Sequence, residues 1–186
     1  MDRLEFKLIG DGERGFIIYP ALNGDITMVS KLSTKFEIEK EVDVIKKLKL
    51  NDIYMLPFYS ECLPITDIEK DILINIDESF TEEEIITECT HYHNIPYIKG
   101  VTIDNVENMD ENFIIACKNF KYNLDKLHDQ GWVHCAIFCQ NVMYSPDNNH
   151  LYLIDFGTFR KSDNNKWLEI ENEDVDNMFE ELGIEV

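Results

Sequence analysis

Basic residues are scarce in this 186-residue chain: 17 lysines and arginines stand against 37 aspartates and glutamates, a formal charge of −20. Such a field repels phosphate backbones and anionic lipid heads, and no local basic patch offsets it, which argues against nucleic-acid and membrane partners. Any phosphate bound here would fall to backbone amides, one or two lysines and a metal. Long apolar runs are missing too. Nowhere do about 18 apolar residues follow one another, as a bilayer span requires. The opening MDRLEFKLIG has no signal-peptide apolar core. Five cysteines, an odd number without a CxxC pair, suit free thiols in a reducing compartment better than a disulfide framework. The expected location is therefore cytoplasmic or nuclear. The chain also has no internal repeat and no low-complexity linker. With 44% apolar residues it can fill one core, or two small lobes sharing an interface.

Along the chain, LEFKLIG and FIIYPAL flank a glycine turn and DITMVSKL follows, the pattern of a three-stranded antiparallel meander. STKFEIEKEVDVIKKLKL reads as a helix. Thr34 and Glu37 have capping-box spacing, and Lys46, Lys47 and Lys49 suit the negative end of the helix dipole. YMLPFYSECLPI and DILINID read as further strands. TEEEIITECTHYHNIPY reads as a short helix returning to the sheet, and PYIKGVTIDN as a connector. From Asp110, a long amphipathic helix carries Phe113, Phe120, Leu124 and Leu127 on one side, with Gly131 just past its end. Short apolar runs around the turn SPDNN suggest a loop and a small hairpin. NEDVDNMFEELG then places Val175, Met178, Phe179 and Leu182 at helical spacing. Residues 163 to 186 hold nine carboxylates against Lys166 alone. Two readings of this tail stay open: a packed final helix with a solvated outer face, or an anionic docking surface whose apolar stripe grips a basic partner.

Three groups of residues point to chemistry. GDGERG, with Gly10, Gly12 and Gly15, lies between two strands. A dinucleotide fold needs a helix straight after such glycines, whereas a strand–loop–strand lays backbone amides over phosphates; a plain hairpin turn remains open. Lys31 ends the third strand. Glu41 falls three residues after Ile38, four before Ile45 and seven before Leu48, so its carboxylate sits on the apolar face of the next helix. A carboxylate there needs a partner, and Lys31 is the available cation. Asp155, in LYLIDFG, closes a buried run, and Asn141 lies upstream; together they offer oxygens to a divalent cation. His91 and His93 lack a third metal ligand. Cys135 and Cys139 are expected to be buried thiols rather than a redox pair.

The frame HCAIFCQN followed by LIDFG resembles the HRDxxxxN and DFG motifs of the protein-kinase superfamily. The likeness covers most of the chain, and in texture is similar to short kinase-like proteins of large DNA viruses. The resemblance implies an α+β, two-lobed protein-kinase-like fold: an N-lobe over residues 1–98, with an antiparallel sheet and one main helix, and an abbreviated helical C-lobe over 99–186. It implies ATP and Mg²⁺ as cofactors. Gly10, Gly12, Gly15 and Lys31 would contact phosphates, Glu41 would hold Lys31, and Asn141 and Asp155 would hold the metal. His134 would pack and hydrogen-bond beneath the DFG strand.

Four departures qualify this. Cys135 replaces the arginine, Ala136 the catalytic aspartate and Phe138 the lysine of serine/threonine kinases, and no APE motif follows Gly157. Without a carboxylate at 136 nothing orients the attacking hydroxyl or takes its proton, a role worth roughly 10²–10⁴-fold. The expectation is a pseudokinase that binds Mg-ATP and regulates a protein partner, such as a host kinase or a second copy of itself. Two alternatives stay open: an active ATP-dependent phosphotransferase whose aspartate at 136 was replaced by alanine for study, and an interaction module that mimics a kinase lobe without binding nucleotide. A related compact pattern occurs in the small kinase/ATPase of the tRNA threonylcarbamoylation machinery, whose catalytic loop HCAIFCQN does not match.

Overall fold

The computed structural model describes residues 5–12, 15–48, 60–76, 83, 87–162 and 164–185. It is an α+β structure with an antiparallel sheet and, among the described residues, four α-helices. The chain divides into two compact units, one running to Leu48 and again up to Tyr97, the other formed by the chain from Ile98 onward.

In the first unit, β1 (Lys7–Gly12), β2 (Gly15–Tyr19) and β3 (Met28–Ser33) form the meander. The sheet continues through β5 (His91–Pro96) to β4 (Leu63–Pro64), giving the order β1-β2-β3-β5-β4, with every pairing antiparallel. Side chains alternate across a strand, so the sheet has two differently used faces. Ile18, Leu32 and Tyr92 join Leu22, Leu73 and Cys89 in one apolar cluster. Lys31, one residue before Leu32, lies opposite Ile17 on one side and His93 on the other. That face meets α1 (Lys35–Leu48), which buries Ile38, Glu41, Val42 and Ile45. One limb of the capping box is present, the Glu37 amide donating to Thr34 Oγ1 at 3.4 Å.

The segment DILINID corrects the sequence reading. Its residues 71–76 belong to α2 (Asp67–Ile76), not to a strand, and residue 77 lies outside the described residues. The cause is a capping box at Thr66 and Glu69: Thr66 N and Oγ1 both donate to Glu69 Oε2 at 2.7 Å, and the Glu69 amide returns a bond to Thr66 Oγ1 at 3.3 Å. Ile72, Ile74 and Ile76 alternate as in a strand, yet Ile72, Leu73 and Ile76 face the cluster while Ile74 is exposed. Of the strand expected over YMLPFYSECLPI, the described residues show Leu63–Pro64, and the residues before Ser60 lie outside the described residues. So do Lys49 and most of TEEEIITE.

In the second unit, α3 (Glu111–Asp129) starts at Asp110, whose side chain accepts from the Phe113 amide at 3.0 Å, and ends before Gly131, at φ +73°. Phe113, Phe120, Leu124 and Leu127 are buried. The helix packs on β7 (Trp132–Val133) and on β9 (His150–Leu153), the edge strand and hairpin partner of β8 in the sheet β6-β8-β9, where β6 is Val101–Thr102 and β8 is Val142–Ser145. The short β10 (Arg160–Lys161) pairs with β7. The last helix, α4 (Asn165–Glu181), buries Val175, Met178 and Phe179, with Phe179 edge-on to Phe120 at 6.3 Å. The apolar stripe of the tail is therefore used within the unit. Leu182, the fourth residue of the stripe, is half-buried.

Candidate functional site

In the first unit the candidate residues converge on β3. The glycine turn closes with Gly12 paired to Gly15; Glu13 and Arg14 lie outside the described residues. Gly15 has φ +126°, and a Cβ there would stand 1.9 Å from the Leu32 carbonyl oxygen. Only glycine lets the returning strand pass that close to β3. Lys31 and Glu41 are both buried, and Lys31 Nζ lies 2.7 Å from Glu41 Oε2. His93, across the strand from Lys31, completes the group: Nδ1 is 2.7 Å from Ser60 Oγ, and Nε2 is 3.7 Å from Glu41 Oε1. Burial pushes the His93 pKa down to about 4; the Glu41 charge opposes this and Lys31 adds to it. The ring is neutral at ordinary pH.

In the second unit the loop from His134 to Asn141 is tied on both sides. The His134 amide donates to Glu171 Oε1 at 3.0 Å and the Cys135 amide to Glu171 Oε2 at 2.6 Å; His128 Nε2 lies 2.8 Å from Oε1. Burial raises the Glu171 pKa, but His128 and the two amides more than reverse this, leaving it below the ordinary glutamate range. These bonds hold Cys135 in the left-handed region at φ +65°, a costly conformation for a residue with a side chain. His134 is fully buried, its Nε2 donating to the Ile154 carbonyl at 2.9 Å, with its ring edge-on to Phe159.

Asn141 and Asp155 are brought to neighbouring positions within this unit. The Ile154 amide donates to the Asn141 carbonyl at 3.0 Å, one residue before Asp155. Asn141 Nδ2 donates to the Ala136 carbonyl at 3.0 Å, which leaves the side-chain oxygen as the atom a cation would use. Asp155 is left-handed at φ +64°, and its carbonyl accepts from Thr158 Oγ1 at 3.0 Å. A carboxylate and an amide oxygen are ligand types that suit a hard cation such as Mg²⁺, which takes few protein ligands and completes its shell with phosphate and water. Among the described residues no group of three or more His, Cys, Asp or Glu side chains could hold a metal.

Ala136 brings no functional group to the loop, and Phe138 is half exposed. Cys135 and Cys139 are partly buried, not fully as expected. Burial raises both thiols; around Cys139 the acids Asp104 and Glu181 add to it, and at Cys135 Arg160, whose Nε donates to Sγ at 2.8 Å, counteracts it. Glu171 was missed by the sequence reading. Its signal is the one used for Glu41: it precedes Val175 by four residues and Met178 by seven, on the buried stripe. No protein-family profile matches this chain, and no curated protein matches it. Among the described residues no helix is long and apolar enough to cross a membrane.

Proposed function

We propose that this chain is a protein-kinase-like protein that binds Mg-ATP and, with alanine at position 136, acts by regulating a protein partner. The observation that carries the reading is the buried Lys31–Glu41 pair. An ion pair in the interior is seldom retained for stability, because well-packed apolar residues of similar volume serve as well or better. Its use is chemical: a lysine fixed by a glutamate is a positioned donor for phosphate oxygens. Three features support this: the lysine lies on the third strand, the glutamate on the helix that follows, and a glycine turn joins the first two strands. In this reading Asn141 and Asp155 hold the metal. Bound Mg-ATP supplies a transferable phosphoryl group and the charge that Lys31 answers. Glu171 fixes the loop in place. Ala136 leaves the proton of an attacking hydroxyl without an acceptor, which accounts for the regulatory role.

A thermal-unfolding titration tests binding. ATP with Mg²⁺ at about 100 times Kd stabilises by roughly 2.7 kcal/mol, which raises Tm by about 5–10 °C in a chain of this size. A Tm that stays where buffer alone leaves it rejects the nucleotide reading. Ala136→Asp then tests impairment. Restored labelling of a generic substrate from γ-labelled ATP shows that position 136 alone limits transfer; equal, negligible labelling places a further block elsewhere in the loop, with Phe138 the first residue to change.

A further inference from the structure

His93 is fully buried and lies directly opposite Lys31 in the β3–β5 ladder, so the two side chains project from the same face of the sheet. Ser60 Oγ occupies Nδ1 at 2.7 Å, whereas Nε2 has no hydrogen-bond partner and faces Glu41 Oε1 at 3.7 Å. The groups around the ring are thus Lys31 from β3, Glu41 from α1 and the Ser60 hydroxyl from the segment before β4. A buried ring nitrogen without a partner is an uncommon arrangement that calls for a reason. His134, in the other unit, shows the ordinary solution, with its Nε2 bonded to a carbonyl.

We propose that His93 is a positioning residue for the Lys31–Glu41 pair: its neutral imidazole directs Nε2–H at Glu41 Oε1 and so keeps Oε2 on Lys31. The argument is electrostatic. A serine hydroxyl can donate or accept, so Ser60 imposes no tautomer on the ring. The carboxylate does. An Nε2 lone pair aimed at an anion in a buried setting is repelled, and an N–H aimed at it is attracted. Ser60 donates to Nδ1, His93 presents its proton to Glu41, and Glu41 holds Lys31, forming one line of polarity through the interior of the first unit. A carboxylate gripped at one oxygen can swing about its side-chain torsions; one addressed at both oxygens cannot. The functional part of the proposal rests on Lys31 being the phosphate donor, whereas the pairing itself is measurable without nucleotide.

Histidine side-chain ¹H–¹⁵N spectra of the full chain, free of nucleotide, read the tautomer directly. The expected result is a neutral Nε2–H ring for His93 from pH 8 to pH 6; an Nδ1–H ring overturns the proposal. In the same spectra, Lys31→Met removes the cation that faces both Glu41 and His93 and raises the histidine's pKa by about one pH unit, while an unchanged titration also overturns it. His93→Gln keeps an N–H donor on a flexible chain, and His93→Leu removes it. With both variants folded by circular dichroism, Mg-ADP binds the leucine variant about tenfold more weakly than wild type, and the glutamine variant recovers most of the affinity. Equal affinity in wild type and the leucine variant overturns the positioning role. If wild type itself binds no Mg-ADP, the nucleotide reading fails, and the tautomer and the Lys31→Met titration still decide whether His93 holds Glu41.

Discussion

Among the described residues, each unit of this protein buries one glutamate on the apolar stripe of a helix, and the two are satisfied in opposite ways. Glu41 meets a side-chain cation, Lys31, at 2.7 Å, with His93 facing its other oxygen. Glu171 meets two backbone amides and a histidine. A lysine is a long chain with three donors, able to serve the glutamate and a ligand together. Backbone amides have one hydrogen each, and here Glu171 takes both. The first arrangement holds a group ready for use, and the second immobilises a loop. The contrast shows that a buried charge is informative about function chiefly through what pairs with it.

The largest effect is expected from Glu171→Ala. It strips the acceptor from the amides of His134 and Cys135 and from His128, and should lower the unfolding free energy by about 3–5 kcal/mol in urea titrations. A loss below about 1 kcal/mol would mean that water serves these donors equally well and that the two glutamates do not differ as argued. Next comes Lys31→Met, which takes the cation from a buried carboxylate and should cost about 3 kcal/mol. Adding Glu41→Leu to it should return most of that loss. If the double variant is no better than the single one, the pair is there for stability and the functional contrast breaks.

The pH dependence sharpens the comparison further. His93 has its folded-state pKa depressed to about 4 from an ordinary 6.5. Between those values the unfolded chain binds a proton that the folded chain refuses, so stability falls as pH drops through the window. The loss amounts to about 3 kcal/mol by its lower end. The Glu171 pKa is lowered, so its contribution is present above the ordinary glutamate pKa and is lost only at more acid pH, as pH falls through its folded-state value. Urea unfolding of wild type and His93→Gln from pH 7 to pH 4 separates the two, because only wild type carries the earlier decline. The smallest effect belongs to Glu171→Gln, which keeps one acceptor oxygen and loses the charge; about 1–2 kcal/mol is expected, by the same titration.

Much of this was legible in the chain. The meander, α1, α3 and the β8–β9 hairpin each combine a hydrophobic period with a cap or turn residue, so two local signals agree. The burial of Glu41 beside Lys31 followed from helical spacing plus the cost of an unpaired charge. DILINID misled because isoleucines at 72, 74 and 76 imitate a strand, and the Thr66–Glu69 box that starts the helix lies outside that segment. Glu171 has the helical spacing that marked Glu41, but two of its three partners are backbone amides, which leave no trace in residue identity. His93 escaped for a related reason: its role depends on strand register, which sets it against Lys31 62 residues away in the chain.

The central claim is that the chain binds Mg-ATP through these residues. Its most direct test is a calorimetric titration with ATP of wild type, Lys31→Met and Asp155→Asn, with and without Mg²⁺. Saturable heat in wild type that depends on Mg²⁺, with affinity reduced at least about tenfold in each variant, is the result expected. Heat from wild type indistinguishable from the dilution of ATP into buffer, at protein concentrations where the fold is intact, would contradict it.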